Sequence, residues 1–298
     1  MPSLIELRSG PLRAVLCPEV GGSITCFDAL VGGRQWPVLR PCVGSPESVL
    51  DAASFPLVPF VNSIRGGRFE FRGRSVTLEP NMPPDISPLH GQGWLAPWSV
   101  EAQEEDSAIL SYHHAAGEWP WEFEARQTLR LDPQGLSISM TCRNISPDPM
   151  PCGLGHHPFF LCSGETRIDT EVEHVWTIDE NVLPVEKIAA TGEFDLRDRK
   201  VCGQDLDHGF DGWGRTATIS ASDVPFDILL TSANARFFQL YSPAEGGIFV
   251  AEPVTHANAA LNAPESQWAV LGIAILEPGG ETTLEARIAI RTKEVEGP

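Results

Sequence analysis

Two imidazoles and one carboxylate, each set in a short apolar run, are the side chains of this sequence best suited to chemistry. His157 lies in Gly155-His156-His157-Pro158-Phe159-Phe160, Glu252 in Phe249-Val250-Ala251-Glu252-Pro253, and His90 in Leu89-His90-Gly91. Burial can tune the pKa values of such groups toward neutrality, so the set predicts acid–base catalysis on a rigid scaffold. Pro158 pushes His157 toward an extended conformation. Gly155 and the aromatics after it suit a strand end lining a pocket. His156 competes for that place, because neighbouring side chains on a strand leave on opposite faces; spacing alone does not choose between them. Glu252 ends an apolar run, which predicts partial burial and a raised pKa.

Further pieces could hold a ligand. Gly91-Gln92-Gly93-Trp94 follows His90 and suits a loop packed against a flat molecule. Asp207-His208-Gly209-Phe210-Asp211-Gly212-Trp213 mixes acceptors, small residues and aromatic faces, as sugar sites do. Trp119 and Trp121 read as core instead. Taken singly, each feature also has a plain structural explanation, such as a core histidine bonded to a carbonyl or a strand-end charge in water. Other chemistries lack their signatures. The pairs His113-His114 and His156-His157 diverge on a strand, so no metal cluster is expected. There is no GxSxG, no phosphate loop and no dinucleotide fingerprint.

The elements that must position these groups are strands. Leu136, Ile138, Met140 and Cys142 alternate with polar residues, as do Leu284, Ala286, Ile288 and Ile290. Period two marks half-buried strands. Phe69-Glu70-Phe71 and Val76-Thr77-Leu78 flank a turn and predict a hairpin. Phe226 to Ser232, Arg236 to Ser242, Gly247 to Ala251 and Trp268 to Leu276 predict central strands. Short helices are expected only near Ser45 to Ala53 and Asp205 to Gly209. The proline-rich stretch at 146–151 separates strands of similar character, so it predicts a loop inside one domain spanning 1–298. The expected class is all-β, a sandwich or close relative of twisted antiparallel sheets.

Composition bounds the rest. With 298 residues, 42% of them apolar, the chain can bury a large core, and its 27 glycines and 26 prolines are scattered as turns. A net charge of -19 argues against nucleic acid and anionic lipid as partners. Seven irregularly placed cysteines predict reduced, buried thiols and a cytoplasmic protein. The N-terminus does not resemble a signal peptide, and no window is apolar enough to span a membrane.

These pieces, in this order, resemble the aldose 1-epimerase (galactose mutarotase-like) family. Val20-Gly21-Gly22-Ser23-Ile24 is similar to its early glycine turn, and Phe55 to Phe60 with Asn62, Ile64, Gly67 and Phe69 to its pocket-lining segment. Leu89-His90-Gly91 and His157-Pro158-Phe159-Phe160 are similar to its two histidine motifs. Asp207 with Phe210 resembles its sugar-binding aspartate segment, and Glu252-Pro253 with Asn262-Ala263-Pro264 its glutamate segment. The resemblance implies a β-supersandwich and a cofactor-free mutarotase acting on a small sugar; surface strands serve a monomer or a homodimer alike. It places His157, not His156, in the catalytic position. Glu252 would be the base on the C1 hydroxyl, His157 the acid at the ring oxygen, and His90 a donor beside it. Asp207, Asn62 and Phe210 would hold the sugar. One departure stands out: the family usually has Asn-Arg-Ile where this chain has Asn62-Ser63-Ile64. Ser63 has no fork of donors, and Arg65, on the same face of a regular strand, is the candidate replacement. Two further readings compete: a hexose-6-phosphate 1-epimerase, which needs an arginine cluster, and a non-catalytic sugar-binding or sugar-sensing protein, which the serine favours.

Overall fold

Alternating burial along the strands dictates the architecture. In Phe123–Asp132 every second residue is buried; its antiparallel partner Gly135–Asn144 follows suit, and Ser107–His114 does so at Ala108 and Leu110. These belong to a nine-stranded sheet that continues through Glu281–Thr292 and Phe226–Ser232. The computed structural model, which describes residues 2–293, is all-β, built of large antiparallel sheets. A four-stranded N-terminal sheet (residues 5–37) and the expected hairpin, Arg68–Phe71 with Arg74–Thr77, complete the main pieces.

The second large sheet, of eight strands, carries the site. Six strands matter here: β1 (Pro56–Leu57), β2 (Gly155–His156), β3 (Phe159–Leu161), β4 (Leu206–Asp211), β5 (Phe237–Ser242) and β6 (Ile248–Val254). β4, β5 and β6 lie side by side; β2 and β3 both pair with β6, and β1 pairs with β2. One face of this sheet sends Phe210, Phe238, Leu240, Phe249 and Ala251 into a core shared with Leu129, Ile138 and Ile288 of the nine-stranded sheet. Burying a side chain of that kind is worth roughly 1.5–3 kcal/mol. Register is fixed accordingly: a one-residue slip of β6 would turn Glu252 into the core and Phe249 out of it. The other face presents Asp207, Gln239, Tyr241 and Glu252, with Gln239 opposite Glu252 and Asp207 opposite Tyr241.

Several expectations need correction. The run Trp268 to Leu276 is not one strand: Glu265–Leu271 is a helix, and only Ala274–Leu276 is extended. Pro264 starts the helix and Gly272 ends it, in the left-handed region at φ 89°, where a Cβ would stand 2.0 Å from the Thr255 carbonyl oxygen. The expected helix near Asp205 is the strand β4, because pairing with β5 outweighs the poor strand propensity of Gly209. Near Ser45 to Ala53 a single 3-10 turn, Val49–Asp51, forms behind a capping box from Ser48. Nor are all cysteines reduced: Cys162 and Cys202, 40 residues apart, form a disulfide. Spacing could not reveal it, since the fold brings the end of β3 to the loop before β4. Cys26 and Cys42, among the free thiols, are only half-buried. Among the described residues, no helix is long and apolar enough to cross a membrane.

Candidate active site

The polar face of the eight-stranded sheet floors a cavity of about 540 Å³, and His90, His157, Glu252, Asp207 and Asn62 all line it. Glu252 projects from β6 and is 2% exposed. His157 follows β2, held extended by its amide bond to the Phe55 carbonyl (2.9 Å). Its Nε2 lies 3.5 Å from Glu252 Oε1. The imidazole stacks on Phe55 (centroids 4.5 Å apart, 19° between planes) and touches Phe159 at 4.6 Å. His156 leaves on the other face, where its Nδ1 meets Ser54 Oγ at 2.5 Å in the core.

Burial sets the charge states. It pushes Glu252 well above the usual carboxylate range, helped by the charge of Asp207, and it holds His157 well below an ordinary histidine. Burial therefore favours the neutral form of each group, a carboxylic acid beside a neutral imidazole with one transferable proton between them. Glu252 Oε2 and His157 Nδ1 are buried without a partner among the described residues. Unpaired polar atoms of this kind are costly to bury.

His90 stands 5.5 Å from His157, edge to face. Its Nδ1 accepts from the Asn62 amide at 3.1 Å, and its own amide bonds the Asn62 carbonyl at 2.9 Å. The accepting Nδ1 is unprotonated, so the proton sits on Nε2, and burial, which lowers the pKa to about 3, keeps the ring neutral. His90 is thus a fixed neutral donor. Both Asn62 (φ 54°) and His90 (φ 58°) occupy the left-handed region, a strain that clusters at functional sites. Gly91 permits this packing, because a Cβ there would stand 2.3 Å from the Val58 carbonyl oxygen.

An amide relay crosses the floor. Asn62 Nδ2 donates to Gln239 Oε1 (3.1 Å), and Gln239 Nε2 donates to Asp207 Oδ1 (2.7 Å). Burial raises Asp207 to about 6 against the pull of that bond, with Asp85 adding to the rise. The arrangement can therefore offer a neutral donor, a one-proton acid–base pair and a carboxylate acceptor around one small ligand.

Two predicted residues lie elsewhere. Phe210 is 1% exposed and in the core, because it falls three residues from Asp207 and strand parity sends it to the opposite face. Arg65 sits in a 3-10 turn, not a strand; it bonds Asp179 (3.0 Å) and the Pro184 carbonyl (2.8 Å), outside the cavity lining. Gln239, Tyr241 and Arg40 also line the cavity, beyond the residues the sequence pointed to. A lone glutamine inside Phe237-Phe238-Gln239-Leu240-Tyr241 was a usable signal. Leu39-Arg40-Pro41 carried none.

Comparison with known proteins gives a consistent picture. The profile of the family described as Aldose 1-epimerase matches residues 3–289. YphB of Escherichia coli K12, itself uncharacterized, is 31% identical over 266 residues, 85% of this chain and 89% of its own length. The Aldose 1-epimerase of the same organism is 25% identical over 220 residues, 68% of this chain and 62% of its own. The crystal structure of an aldose 1-epimerase candidate from Escherichia coli K12 superposes with a TM-score of 0.87 at 28% identity, covering 98% of this chain and 100% of that one.

Proposed function

Since this chain belongs to the aldose 1-epimerase family, we propose that it interconverts the α and β anomers of a free aldose by acid–base opening of the pyranose ring. The observation that carries the reading is the 3.5 Å approach of His157 Nε2 to Glu252 Oε1 in the cavity floor. That spacing lets the two groups reach the C1 hydroxyl and the ring oxygen of one sugar. Their shared proton first passes from the acid to the imidazole, giving carboxylate and imidazolium. A bound sugar favours that form by donating its C1 hydroxyl to the carboxylate.

Glu252 then takes the C1 hydroxyl proton, the electron pair of that O–H bond forms the C1 carbonyl, and the bond from C1 to the ring oxygen breaks. The ring oxygen takes its proton from His157 Nε2. Rotation about C1–C2 turns the other face of the aldehyde to the C5 hydroxyl, and the reverse steps close the other anomer. Each positioned group contributes typically about 100- to 10,000-fold. His90 Nε2–H donates near the ring oxygen, and Asp207, oriented by Gln239, accepts from sugar hydroxyls. None of these steps consumes a cofactor.

A hexose 6-phosphate fits less well. The cavity lining holds one arginine, Arg40, against Asp85, Glu180, Asp207 and Glu252. Polarimetry on freshly dissolved α-D-glucose and α-D-galactose tests the proposal: mutarotation should accelerate in proportion to enzyme. Tight calorimetric binding of aldoses with no acceleration on any of a broad panel would reassign the chain as a sugar-binding protein.

A further inference from the structure

Ser63, where the family usually carries an arginine, leaves the cavity without a guanidinium from that segment, yet one arrives from another. Arg40 lines the cavity beside Leu50, Phe159 and Ile248. Three contacts fix it. Its amide donates to the Phe159 carbonyl (2.8 Å), its guanidinium lies over the Phe159 ring (3.9 Å to the centroid), and its Nη2 donates to the carbonyls of Leu50 and Ala52. Among the described residues no carboxylate oxygen comes within 4.0 Å of it. Asp51, near enough for its charge to act on Arg40, makes its hydrogen bonds elsewhere, its Oδ2 accepting from the Glu47 and Ser48 amides (3.0 and 2.9 Å). The side chain is half-buried, so this cation has given up part of its hydration without gaining a direct ion pair; the charge of Asp51 reaches it only at longer range. With both Nη2 hydrogens engaged, Nε–H and Nη1–H remain. That rules out a second two-pronged grip and leaves single donors, which suit an oxygen of a sugar better than a phosphate.

Position names the oxygen. In a pyranose the ring oxygen is bonded to C1 and C5. With C1 at Glu252 and the ring oxygen at His157, the C5 substituent leaves the ring on the His157 side. The ring of Phe159 touches His157 there, and Arg40 lies on that ring. Asp207 stands on β4, separated from β3 by β5 and β6, so the sugar would be held from two ends. We propose that Arg40 is a specificity-determining residue that donates to the oxygen on C6 of an aldohexose. The inference rests on the mutarotase reading for the orientation of the ring, and it deepens that reading by naming the substrate class: hexoses with an oxygen at C6, over pentoses and 6-deoxyhexoses.

The test compares sugar pairs that differ only at C6: D-galactose with D-fucose, and D-glucose with D-xylose. The wild-type protein, Arg40→Met and Arg40→Lys are assayed for kcat/KM by polarimetry and for affinity by calorimetry. A hydrogen bond from a charged donor predicts a wild-type preference of roughly 10- to 100-fold for the hexose. Arg40→Met should bring that ratio near one by losing activity on the hexose alone, and Arg40→Lys should recover part of it. A wild-type ratio near one overturns the inference without any variant. So does an Arg40→Met protein that loses equally on both members of a pair, since that reports only the lost bonds to Leu50 and Ala52. If no aldose is turned over, the mutarotase reading fails, and the affinity ratio still decides whether Arg40 reads C6.

Discussion

Replacing Asp207 by asparagine should stabilise this protein, and the gain should exist only at neutral and alkaline pH. The carboxyl is raised by burial from 3.8 to about 6. An acid whose pKa is higher folded than unfolded costs nothing below its unfolded value, where both states are protonated. The cost grows between the two values and is complete above the folded one. A rise of about two units corresponds to about 3 kcal/mol. Asp207 is half-buried and keeps some access to water, so screening reduces the expectation to about 2 kcal/mol. Asparagine preserves the accepting oxygen that Gln239 Nε2 uses, so the relay survives while the charge goes. At about 2 °C per kcal/mol for a chain of this size, the melting temperature should rise by about 4 °C at pH 8 and little at pH 4.5. Thermal unfolding of both proteins across that range is the assay. An equal gain at both pH values would show a packing effect; no gain at pH 8 would show that the carboxylate is not strained by its surroundings.

The same carboxylate should appear in kinetics. Asp207 must be ionised to accept from sugar hydroxyls, so kcat/KM should fall as pH drops through about 6, and Asp207→Asn should lose that limb together with part of its sugar affinity. His90→Ala should lower kcat/KM by roughly 10- to 100-fold through the lost donor. It should also cost about 1–3 kcal/mol of stability, because the Asn62 amide loses its acceptor; an unchanged melting temperature would contradict that pairing. Cys162→Ser removes a link between residues 40 apart in sequence, worth about 4 kcal/mol on chain-entropy grounds. Insensitivity of the melting temperature to this change, or to reductant, would refute the cross-link.

Much of this was legible in the sequence for identifiable reasons. Period-two alternation gave the strand Leu136 to Cys142 because one of its faces is buried and the other is not. His90, His157 and Glu252 stood out because polar groups in apolar runs must either be satisfied or serve a purpose. Parity could not choose between His156 and His157, since it separates neighbours without saying which face is the pocket. Asp207 and Phe210 lie three residues apart on one strand, which sets them on opposite faces, so a single ligand-facing segment cannot hold both. Arg65 was expected on a regular strand, but a tight turn with Gly66 at φ 63° redirects it toward Asp179. Arg40 was invisible, because its place beside Phe159 depends on a long-range approach that no local pattern encodes. The helix at Glu265–Leu271 was hidden by an apolar run too short to show its period.

Exchange NMR on an equilibrated aldohexose bears most directly on the pairing of Glu252 with His157. Wild-type protein at neutral pH should transfer magnetisation between the anomeric signals far faster than buffer does, and Glu252→Gln, which keeps shape but cannot take a proton, should lower the rate by about 100-fold or more. A folded Glu252→Gln protein that exchanges the anomers as fast as wild type would contradict the account.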